Sequence, residues 1–263
     1  MDRATIGRVG CFFVAILLLI AVADSEAAVL LGHWKMEENQ TGQKAVDSSV
    51  NGLIGTYGAA LNPNVYGPRN FGLATDFRDT TATISLTDSA YTLSNLTNNF
   101  SVMAWINTDV LNINQRVIAN ETWGLGIDGN VSGSQGQLRF TTFGVKDYRS
   151  NAGVLPAGNW AHVAAVIDNA NDVTFYVNGN MVGADTHSSS GIAGSSATYI
   201  GGRSSEHFFD GLADEVAVFS GALTQSEIQQ YMSSGIPTLK QTVFRYDYDS
   251  SEPLPGIPDD SGA

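Results

Sequence analysis

The chain has 263 residues, with 13 basic and 26 acidic side chains and a formal net charge of −13 at pH 7. This excess of acidic residues argues against binding to nucleic acids and to anionic membrane surfaces, because both are polyanions. Charged residues make up only 15% of the chain, while glycine, serine, threonine and asparagine are abundant. Such a composition is typical of extracellular proteins rich in β-strands and turns, and differs from that of helical cytosolic enzymes.

The N-terminal segment has the features of a secretory signal peptide. Two arginines precede an apolar run over residues 9–23, which is shorter than the about 20 apolar residues that a membrane span needs. The run ends in Ala-Val-Ala, the small-x-small pattern of a cleavage site, and cleavage after Ala27 is a second option. We therefore predict a signal peptide over residues 1–23 and a secreted protein, extracellular or periplasmic; an uncleaved anchor is the alternative. Cys11, the only cysteine, lies in this segment, so we predict a mature chain without disulfides.

Short segments of alternating apolar and polar residues, separated by turn residues, predict β-strands from Val29 onward. They occur around residues 53–57 and in VLLGHWKM, LATDF, ATISL, TWGLGID, GQLRFTTFG, NWAHVAAVID, DVTFYVNGNMVG, ATYIGG and GLADEVAVF. The strongest is FSVMAWINTD, whose two faces are both free of charge, as in a central strand that is covered on both sides. Asn178 and Gly179 predict a type I′ hairpin turn. This spacing of short strands favours a two-sheet sandwich.

One helix is predicted after the last strand. Thr224 can cap its N-terminus, and Glu227 can complete a capping box three positions later. Gly235 provides the end of the helix. Beyond it, residues 237–263 are acidic and contain proline, which predicts a mostly disordered tail. The folded domain is therefore predicted over residues 28–236.

The segments AVDSSVNGLIGT, NFSVMAWINTD, GNWAHVAAVIDNANDVTFYVNGNMVG and FFDGLADEVAVFSGALTQSEIQQY occur in this order in the chain. Together they resemble the laminin-G-like, concanavalin A-like jelly-roll modules of secreted proteins, over about residues 29–235. The resemblance implies an all-β jelly roll of two antiparallel sheets with one short C-terminal helix. It does not select a function, because this fold includes lectins, adhesion domains and glycosidases.

Three acidic side chains near the C-terminus raise the question of catalysis: Asp210, Asp214 and Glu215. On a regular strand Asp214 points to the same face as Val216 and Val218, and Glu215 points to the other face. A glycosidase pair must converge on one bond, and the glucanases of this fold carry their acids as Glu-x-Asp-x-Glu, a pattern that this sequence lacks. We therefore predict no catalytic residues and a protein that is not an enzyme. Acids that converge from different strands are the alternative.

A calcium site is the second interpretation of the acidic residues. A half-buried carboxylate needs hydrogen-bond donors or a cation, and we expect Asp214 to be half-buried. Calcium prefers six to eight oxygen ligands, and the family resemblance implies one structural calcium ion in this region. The predicted ligands are Asp47, Ser48, Asn51, Asp210 and Asp214. The alternative is that Asp47 and Asp214 only accept hydrogen bonds from turn amides.

Loop aromatics and arginines are the candidates for a ligand surface, because sugar rings stack on flat apolar groups and their hydroxyls need polar partners. The predicted ligand-binding residues are Trp123, Tyr148, Arg149, Arg203, Glu206 and His207. We predict a secreted, non-catalytic module that binds carbohydrate or a glycoconjugate with a structural calcium ion. The alternative is a surface or matrix domain that contacts extracellular proteins without binding sugar, and a weaker one is a glycoside hydrolase or polysaccharide lyase.

Overall fold

A computed structural model describes residues 28–39, 42–86, 92–129, 133, 135–187 and 197–236. The predicted signal peptide and the predicted acidic tail lie outside the described residues. Within them, the chain forms sixteen strands and one helix. The strands are β1 Val29–Trp34, β2 Lys44–Ala45, β3 Gly55–Tyr57, β4 Asn62–Tyr66, β5 Leu73–Asp76, β6 Ile84–Leu86, β7 Phe100–Asn107, β8 Gln115–Ala119, β9 Trp123–Asp128, β10 Gln137–Thr142, β11 Lys146–Arg149, β12 Ala161–Ile167, β13 Val173–Val177, β14 Asn180–Asp185, β15 Thr198–Ile200 and β16 Leu212–Ser220, and the helix is α1 Gln225–Ser234.

The strands form two antiparallel sheets of eight strands each. Sheet 1 has the order β14-β13-β12-β7-β16-β5-β4, with β1 also paired to β16. Sheet 2 has the order β11-β10-β9-β8-β15-β6-β3-β2. Neighbours such as β7 and β16 are far apart in the sequence, as in a jelly roll, while β8 to β11 form a simple meander. The predicted all-β sandwich is confirmed.

The main hydrophobic core lies between the two sheets. In β7 the side chains of Phe100, Val102, Ala104 and Ile106 all belong to this core, so every second residue of the strand faces the other sheet. The residues between them face the opposite side of sheet 1, where Met103 belongs to a second, smaller cluster. This alternation, repeated along the strands, accounts for most of the buried apolar surface and hence for the main stabilising term of the fold.

Helix α1 covers the outer face of sheet 1. Ile228 is buried in the smaller cluster together with Met103, and the ring of Tyr231 stacks on Phe219 of β16 at a centroid distance of 5.4 Å. The predicted capping box is present: the amide of Glu227 donates to the Thr224 hydroxyl, and the Glu227 carboxylate accepts from the amide of Thr224. The prediction that β7 is covered on both faces is therefore confirmed.

A β-bulge interrupts β16 at the acidic residues. Asp214 pairs with Trp105 and Ala217 pairs with Met103, so three steps along β16 oppose two along β7. Glu215 lies in the bulge with a positive φ of 49°, which is uncommon for a residue other than glycine, asparagine or aspartate. The extra residue shifts the alternation of side chains for the rest of the strand.

The bulge makes one prediction wrong, namely that Asp214 shares a face with Val216 and Val218. Both valines belong to the core between the sheets. Asp214 instead lies opposite Trp105, and residues directly paired in antiparallel strands share a face. The Trp105 ring packs against His162 on the outer face of sheet 1, so Asp214 lies on that outer face as well.

Candidate functional site

The outer face of sheet 2 carries a concentration of basic side chains. Leu125, Phe140 and Tyr148 of the meander point into the core. Their neighbours along the strands therefore point outward, and they include Arg139 and Arg149. Four of the chain's 13 basic residues lie on or beside this face: Arg116, Arg139, Arg149 and Arg203. Lys146 is in phase with Tyr148 and extends to Asp185 of β14. In a chain with a net charge of −13, this is a distinct feature of one surface.

A cleft of about 420 Å³ lies over β8, β10 and β11 on this face. The turn between β10 and β11 forms one wall, and the segment after β15 forms the other. The residues that line the cleft are Arg116, Arg139, Thr141, Thr142, Phe143, Gly144, Val145, Lys146, Asp147, Arg203 and His207. They combine an aromatic ring, hydroxyl groups and several cations, which are the groups that recognise polar ligands with an apolar face.

Arg203 forms part of the wall of the cleft that follows β15. Its guanidinium lies 3.8 Å from the centroid of the Phe143 ring, in the range of a cation–π contact. One terminal nitrogen donates to Glu121 and the other to Glu206, each at 2.6 Å. These two glutamates are about half exposed, so water screens the pairs, and their main effect is to hold the guanidinium flat over the ring.

Arg116 lies at the floor of the cleft and is 0% exposed. One terminal nitrogen donates to the carbonyl of Gln115 at 2.8 Å and the other to the Thr141 hydroxyl at 3.0 Å. Burial lowers the pKa of Arg116 to about 10, and the charge of Arg139 acts in the same direction, yet the guanidinium remains a cation at pH 7. Gly124 makes room for this side chain, since a Cβ there would lie 3.2 Å from the Cδ of Arg116.

His207 adds a neutral imidazole to the cleft. Burial lowers its pKa below the ordinary value of 6.5, and the positive charge of Arg116 lowers it further. At neutral pH the ring therefore carries no charge and can both donate and accept a hydrogen bond. The cleft thus contains a neutral donor and acceptor beside permanent cations.

The structure brings together part of the predicted ligand-binding set. Arg203 and His207 line the cleft, and Glu206 is held beside it by its ion pair with Arg203. Arg149 lies further along the same face, where its Nε contacts Asp128 at 2.5 Å. These four residues therefore share one surface.

The placement of Trp123 and Tyr148 on that surface is wrong, because both are only 1% exposed and belong to the core between the sheets. The Trp123 indole donates to the carbonyl of Leu93 at 2.9 Å, and its ring packs against Phe100 at 5.4 Å. The alternation of β9 would have shown this, since Trp123 falls in phase with the buried Leu125. The aromatic residue of the cleft is instead Phe143, which the sequence reasoning missed, as it missed Arg116, Arg139 and Lys146.

The predicted calcium ligands do not form one group. Asp47 is saturated by its own loop: its Oδ1 accepts from the amides of His33 and Ser49, and its Oδ2 accepts from the Ser49 hydroxyl and the Leu53 amide. Asn51 donates to the carbonyl of Leu31. Among the residues that the structure describes, no three or more His, Cys, Asp or Glu side chains are grouped as a metal site requires. Asp47, Asp210 and Asp214 are therefore separate, and Ser48 stays with the Asp47 loop.

Asp214 is the most deeply buried of the predicted ligands. It is 0% exposed, and its Oδ1 accepts from the Glu215 amide at 2.7 Å. Its Oδ2 has no hydrogen-bond partner within the described part of the chain. Burial, the Glu215 carboxylate and, more weakly, Glu37 and Glu38 raise the pKa of Asp214 to about 9, so the group is protonated at neutral pH when no cation is bound.

The free oxygen of Asp214 and two backbone carbonyls all lie close to Gly67. A Cβ at Gly67 would lie 2.7 Å from the Asp214 Oδ2, 3.0 Å from the carbonyl of Leu73 and 3.2 Å from the carbonyl of Gly72. The Glu37 carboxylate approaches the same loop, where it accepts from the Leu73 amide at 3.3 Å. Carboxylate and carbonyl oxygens are the ligands that calcium prefers, so these groups fit a hard cation in chemistry.

Comparison with known proteins agrees with the architecture. The family model of the concanavalin A-like lectin/glucanase superfamily, of the laminin G type, matches residues 78–229. The chain belongs to this superfamily, which confirms the resemblance seen in the sequence. No curated protein matches the chain in sequence.

Several solved structures share the fold. Domain 4 of AbnA, an extracellular GH43 arabinanase from Geobacillus stearothermophilus solved with arabinotriose, is 22% identical with a TM-score of 0.59, over 77% of this chain and 98% of that one. The binding domain of Paraclostridial Mosquitocidal Protein 1 is 16% identical with a TM-score of 0.62, over 78% and 52%. Trypanosoma rangeli sialidase with the inhibitor DANA is 16% identical with a TM-score of 0.55, over 77% and 32%. These low identities establish the fold alone.

The described residues contain no helix with the length and apolar character that crossing a membrane requires.

Proposed function

We propose that this domain is a secreted, non-catalytic recognition module that binds a carbohydrate or glycoconjugate in the cleft over sheet 2. The observation that carries the proposal is the composition of that cleft. Phe143, with the Arg203 guanidinium 3.8 Å from its ring centroid, offers an aromatic group to a sugar ring, and His207 offers an imidazole to sugar hydroxyls. The similarity to an arabinanase domain solved with arabinotriose supports a sugar as the ligand.

A glycan array probed with the purified full chain tests the proposal. We expect binding to a restricted set of glycans, and we expect Arg203→Ala to weaken it at least about tenfold, because the substitution removes the planar group stacked on Phe143. Arg78→Ala is the matched control, since Arg78 also forms an ion pair, with Asp76, but does not line the cleft. Absence of any glycan binding by a folded chain would contradict the proposal.

Secretion is proposed from the N-terminal segment over residues 1–23. Expression of the full chain in a secreting host and N-terminal sequencing of the product are expected to give a start after Ala23 or Ala27. A product that keeps Cys11 and stays in the membrane fraction would indicate an uncleaved anchor.

The calcium part of the proposal is centred on Asp214. A bound ion would be held by the Asp214 carboxylate, Glu37 and the carbonyls of Gly72 and Leu73, and it would supply the positive charge that the buried carboxylate lacks. We expect millimolar calcium to raise the melting temperature relative to EDTA, and Asp214→Asn to remove the difference. Asp47→Ala is the control: it should lower the melting temperature in both solutions and leave the calcium effect in place, because Asp47 only holds its loop. Equal melting curves with and without calcium would contradict the proposal of a structural calcium ion.

A catalytic role is the second candidate, and a second cleft favours it. This cleft of about 640 Å³ lies over the bulge of β16, and both Glu37 and Glu215 line it. Glu215 is held by His33 at 2.6 Å, and Asp214 is fully buried beside it. Release of reducing ends or of unsaturated products from a polysaccharide, lost in Glu215→Gln, would support this role and contradict the non-catalytic one.

Contact with an extracellular protein is the remaining alternative. Val46, Val50 and Ile54 are exposed apolar side chains on one stretch of chain near β2 and β3. The similarity to the binding domain of a mosquitocidal protein is compatible with such a role. Pull-down of a protein partner that survives deglycosylation of the partner would favour it over sugar recognition.

A further inference from the structure

The cleft contains a buried cation, Arg116, that has no contacting carboxylate among the described residues. Arg116 is 0% exposed, and within the described residues no carboxylate oxygen lies within 4.0 Å of its guanidinium. Its Nε has no hydrogen-bond partner there either. Arginine cannot give up its proton at physiological pH, so a buried guanidinium without a counter-ion is costly unless something else supplies the negative charge.

The other arginines of the same face each have a carboxylate partner, which Arg116 lacks among the described residues. Arg139 contacts Asp147 at 2.5 Å, Arg149 contacts Asp128 at 2.5 Å, and Arg203 contacts Glu121 and Glu206. Arg116 is the most deeply buried of the four, yet within the described residues it donates only to two neutral oxygens, from Gln115 and Thr141, and its guanidinium lies 5.8 Å from the centroid of the Phe143 ring. Among the residues that the structure describes, the most deeply buried arginine of this face therefore has no carboxylate in contact with it.

From this we propose that the glycan bound in the cleft carries an anionic group, a carboxylate or a sulfate, and that Arg116 is the residue that recognises it. This inference rests on the proposed function and narrows its ligand class to acidic saccharides. A guanidinium with an unused N–H binds a carboxylate or sulfate oxygen through a charge-assisted hydrogen bond, which is stronger than a neutral one.

The surroundings of Arg116 favour isolated anionic groups over a dense polyanion. The cations Arg139, Lys146, Arg149 and Arg203 are matched by Asp147, Asp185, Asp128 and the pair Glu121 and Glu206. The face as a whole therefore has no large positive field, and the net charge of −13 repels polyanions. Recognition depends on one buried contact, and we expect a weak dependence of affinity on salt.

The test compares glycans that differ only in the charged group. The full chain is probed with matched pairs: oligogalacturonate against its methyl ester, a glucuronate-terminated oligosaccharide against the form with the carboxylate reduced to a hydroxymethyl group, and a 6-sulfated oligosaccharide against its unsulfated form. We expect the charged member to bind about tenfold tighter or more in at least one pair. Preference in the carboxylate pairs or in the sulfate pair identifies which anion the site accepts.

Variants of Arg116 connect the preference to this residue. Arg116→Met should bring the two members of the preferred pair to within about twofold, while Arg116→Lys should keep part of the preference because it keeps the charge. Arg78→Met is the control and should leave the preference unchanged, since Arg78 lies outside the cleft. Unchanged melting curves verify that each variant is folded. If Arg116→Met does not fold, the Nε–Hε resonance of Arg116 in the wild-type chain replaces it: the inference predicts a shift with the charged member only.

Each outcome decides the question. Equal binding of charged and neutral members, or binding of neutral glycans alone, would overturn the inference and leave the proposed function in place. A preference for the charged member that survives in folded Arg116→Met would also overturn it. Binding of no glycan at all would overturn the proposed function together with the inference.

Discussion

Arg116 on the outer face of sheet 2 and Asp214 on the outer face of sheet 1 are both buried without a partner of opposite charge among the described residues, and the two groups respond differently. On sheet 2, Arg116 keeps its charge, because burial lowers its pKa only to about 10. On sheet 1, burial and nearby carboxylates raise the pKa of Asp214 to about 9, so this group is neutral at pH 7. A buried carboxylate can become neutral by binding a proton, whereas a buried guanidinium keeps its charge at pH 7. The unpaired arginine is therefore the stronger indication of a ligand.

The two faces also differ in regularity. On sheet 2 the pleat alternates through the meander from β9 to β11, which keeps apolar side chains in the core and places the charged ones on a common surface. On sheet 1 the bulge at Glu215 breaks the alternation and moves Asp214 under the loop at Gly67. Regular pleating from β9 to β11 creates a surface for contact with a ligand. A break in register lies beside each of the two buried groups, at Arg116 in β8 and at Asp214 in β16.

The largest change in stability is expected for a substitution in the core beneath the cleft. Trp123→Ala should lower the free energy of unfolding by about 3–5 kcal/mol, because it removes a large buried side chain beneath sheet 2. Denaturant titrations measure this loss of stability. The glycan affinity of the folded variant should stay close to that of wild type. If the stability changes by less than about 1 kcal/mol and the glycan affinity is lost, the result would indicate that Trp123 contacts the ligand.

A second prediction concerns the proton on Asp214. Because the pKa of Asp214 is raised from 3.8 to about 9 in the folded chain, the folded state holds a proton that the unfolded state releases. Its contribution to stability is complete below pH 3.8 and is lost as the pH rises toward about 9. Asp214→Asn imitates the protonated form, so in EDTA its stability relative to wild type should rise between pH 5 and pH 8 by about 1.4 kcal/mol per pH unit. Chemical denaturation at pH 5 and pH 8 measures the effect, and an equal difference from wild type at both pH values contradicts it.

A third prediction contrasts two arginines of the cleft. Arg116→Met should leave the stability unchanged or raise it by about 1 kcal/mol, because it removes a buried charge that has no partner. Arg139→Met should lower the stability by about 1 kcal/mol, because Asp147 then loses its contact at 2.5 Å. Urea titrations of the two variants at pH 7 make the comparison. A clear loss of stability in Arg116→Met would mean that the protein itself compensates the charge.

The smallest expected effect is at the rim of the cleft. Glu206→Gln removes the charge of a side chain that is 52% exposed and paired with Arg203, which has Glu121 as a second partner. Such an exposed pair contributes little, so the free energy of unfolding should change by less than about 0.5 kcal/mol. The affinity for an acidic glycan should rise slightly, because one repelling charge is gone. A large loss of affinity would show that Glu206 contacts the ligand directly.

Much of the fold could be predicted from the sequence, because local patterns decide it. Strand alternation, the Asn178-Gly179 turn and the Thr224 capping box each act over a few residues, and the structure contains all three. The bulge could not be predicted, because Glu215 gives no local signal for a positive φ: that conformation is normally taken by glycine, asparagine or aspartate. Its consequence, the burial of Asp214, depends on a loop more than 140 positions earlier in the chain.

The candidate site could be predicted only in part. Arg203 and His207 were identified as polar residues in a turn-rich segment, but their partners come from strands and a turn far away in sequence. Trp123 was assigned to the surface because of its polar neighbours, although its phase with Leu125 places it inside. Arg116 occurs in the segment QRVIA, where an arginine among apolar residues is a usable signal of a charge held against a sheet. That its charge has no carboxylate partner among the described residues depends on tertiary structure.

A crystal structure of the full chain with the tightest-binding acidic glycan tests the central claim most directly. The account predicts the sugar in the cleft over sheet 2, with its carboxylate or sulfate hydrogen-bonded to the guanidinium of Arg116 and a ring beside Phe143. A glycan bound instead over the bulge of β16, with a glycosidic bond between Glu37 and Glu215, would contradict it and would indicate an enzyme.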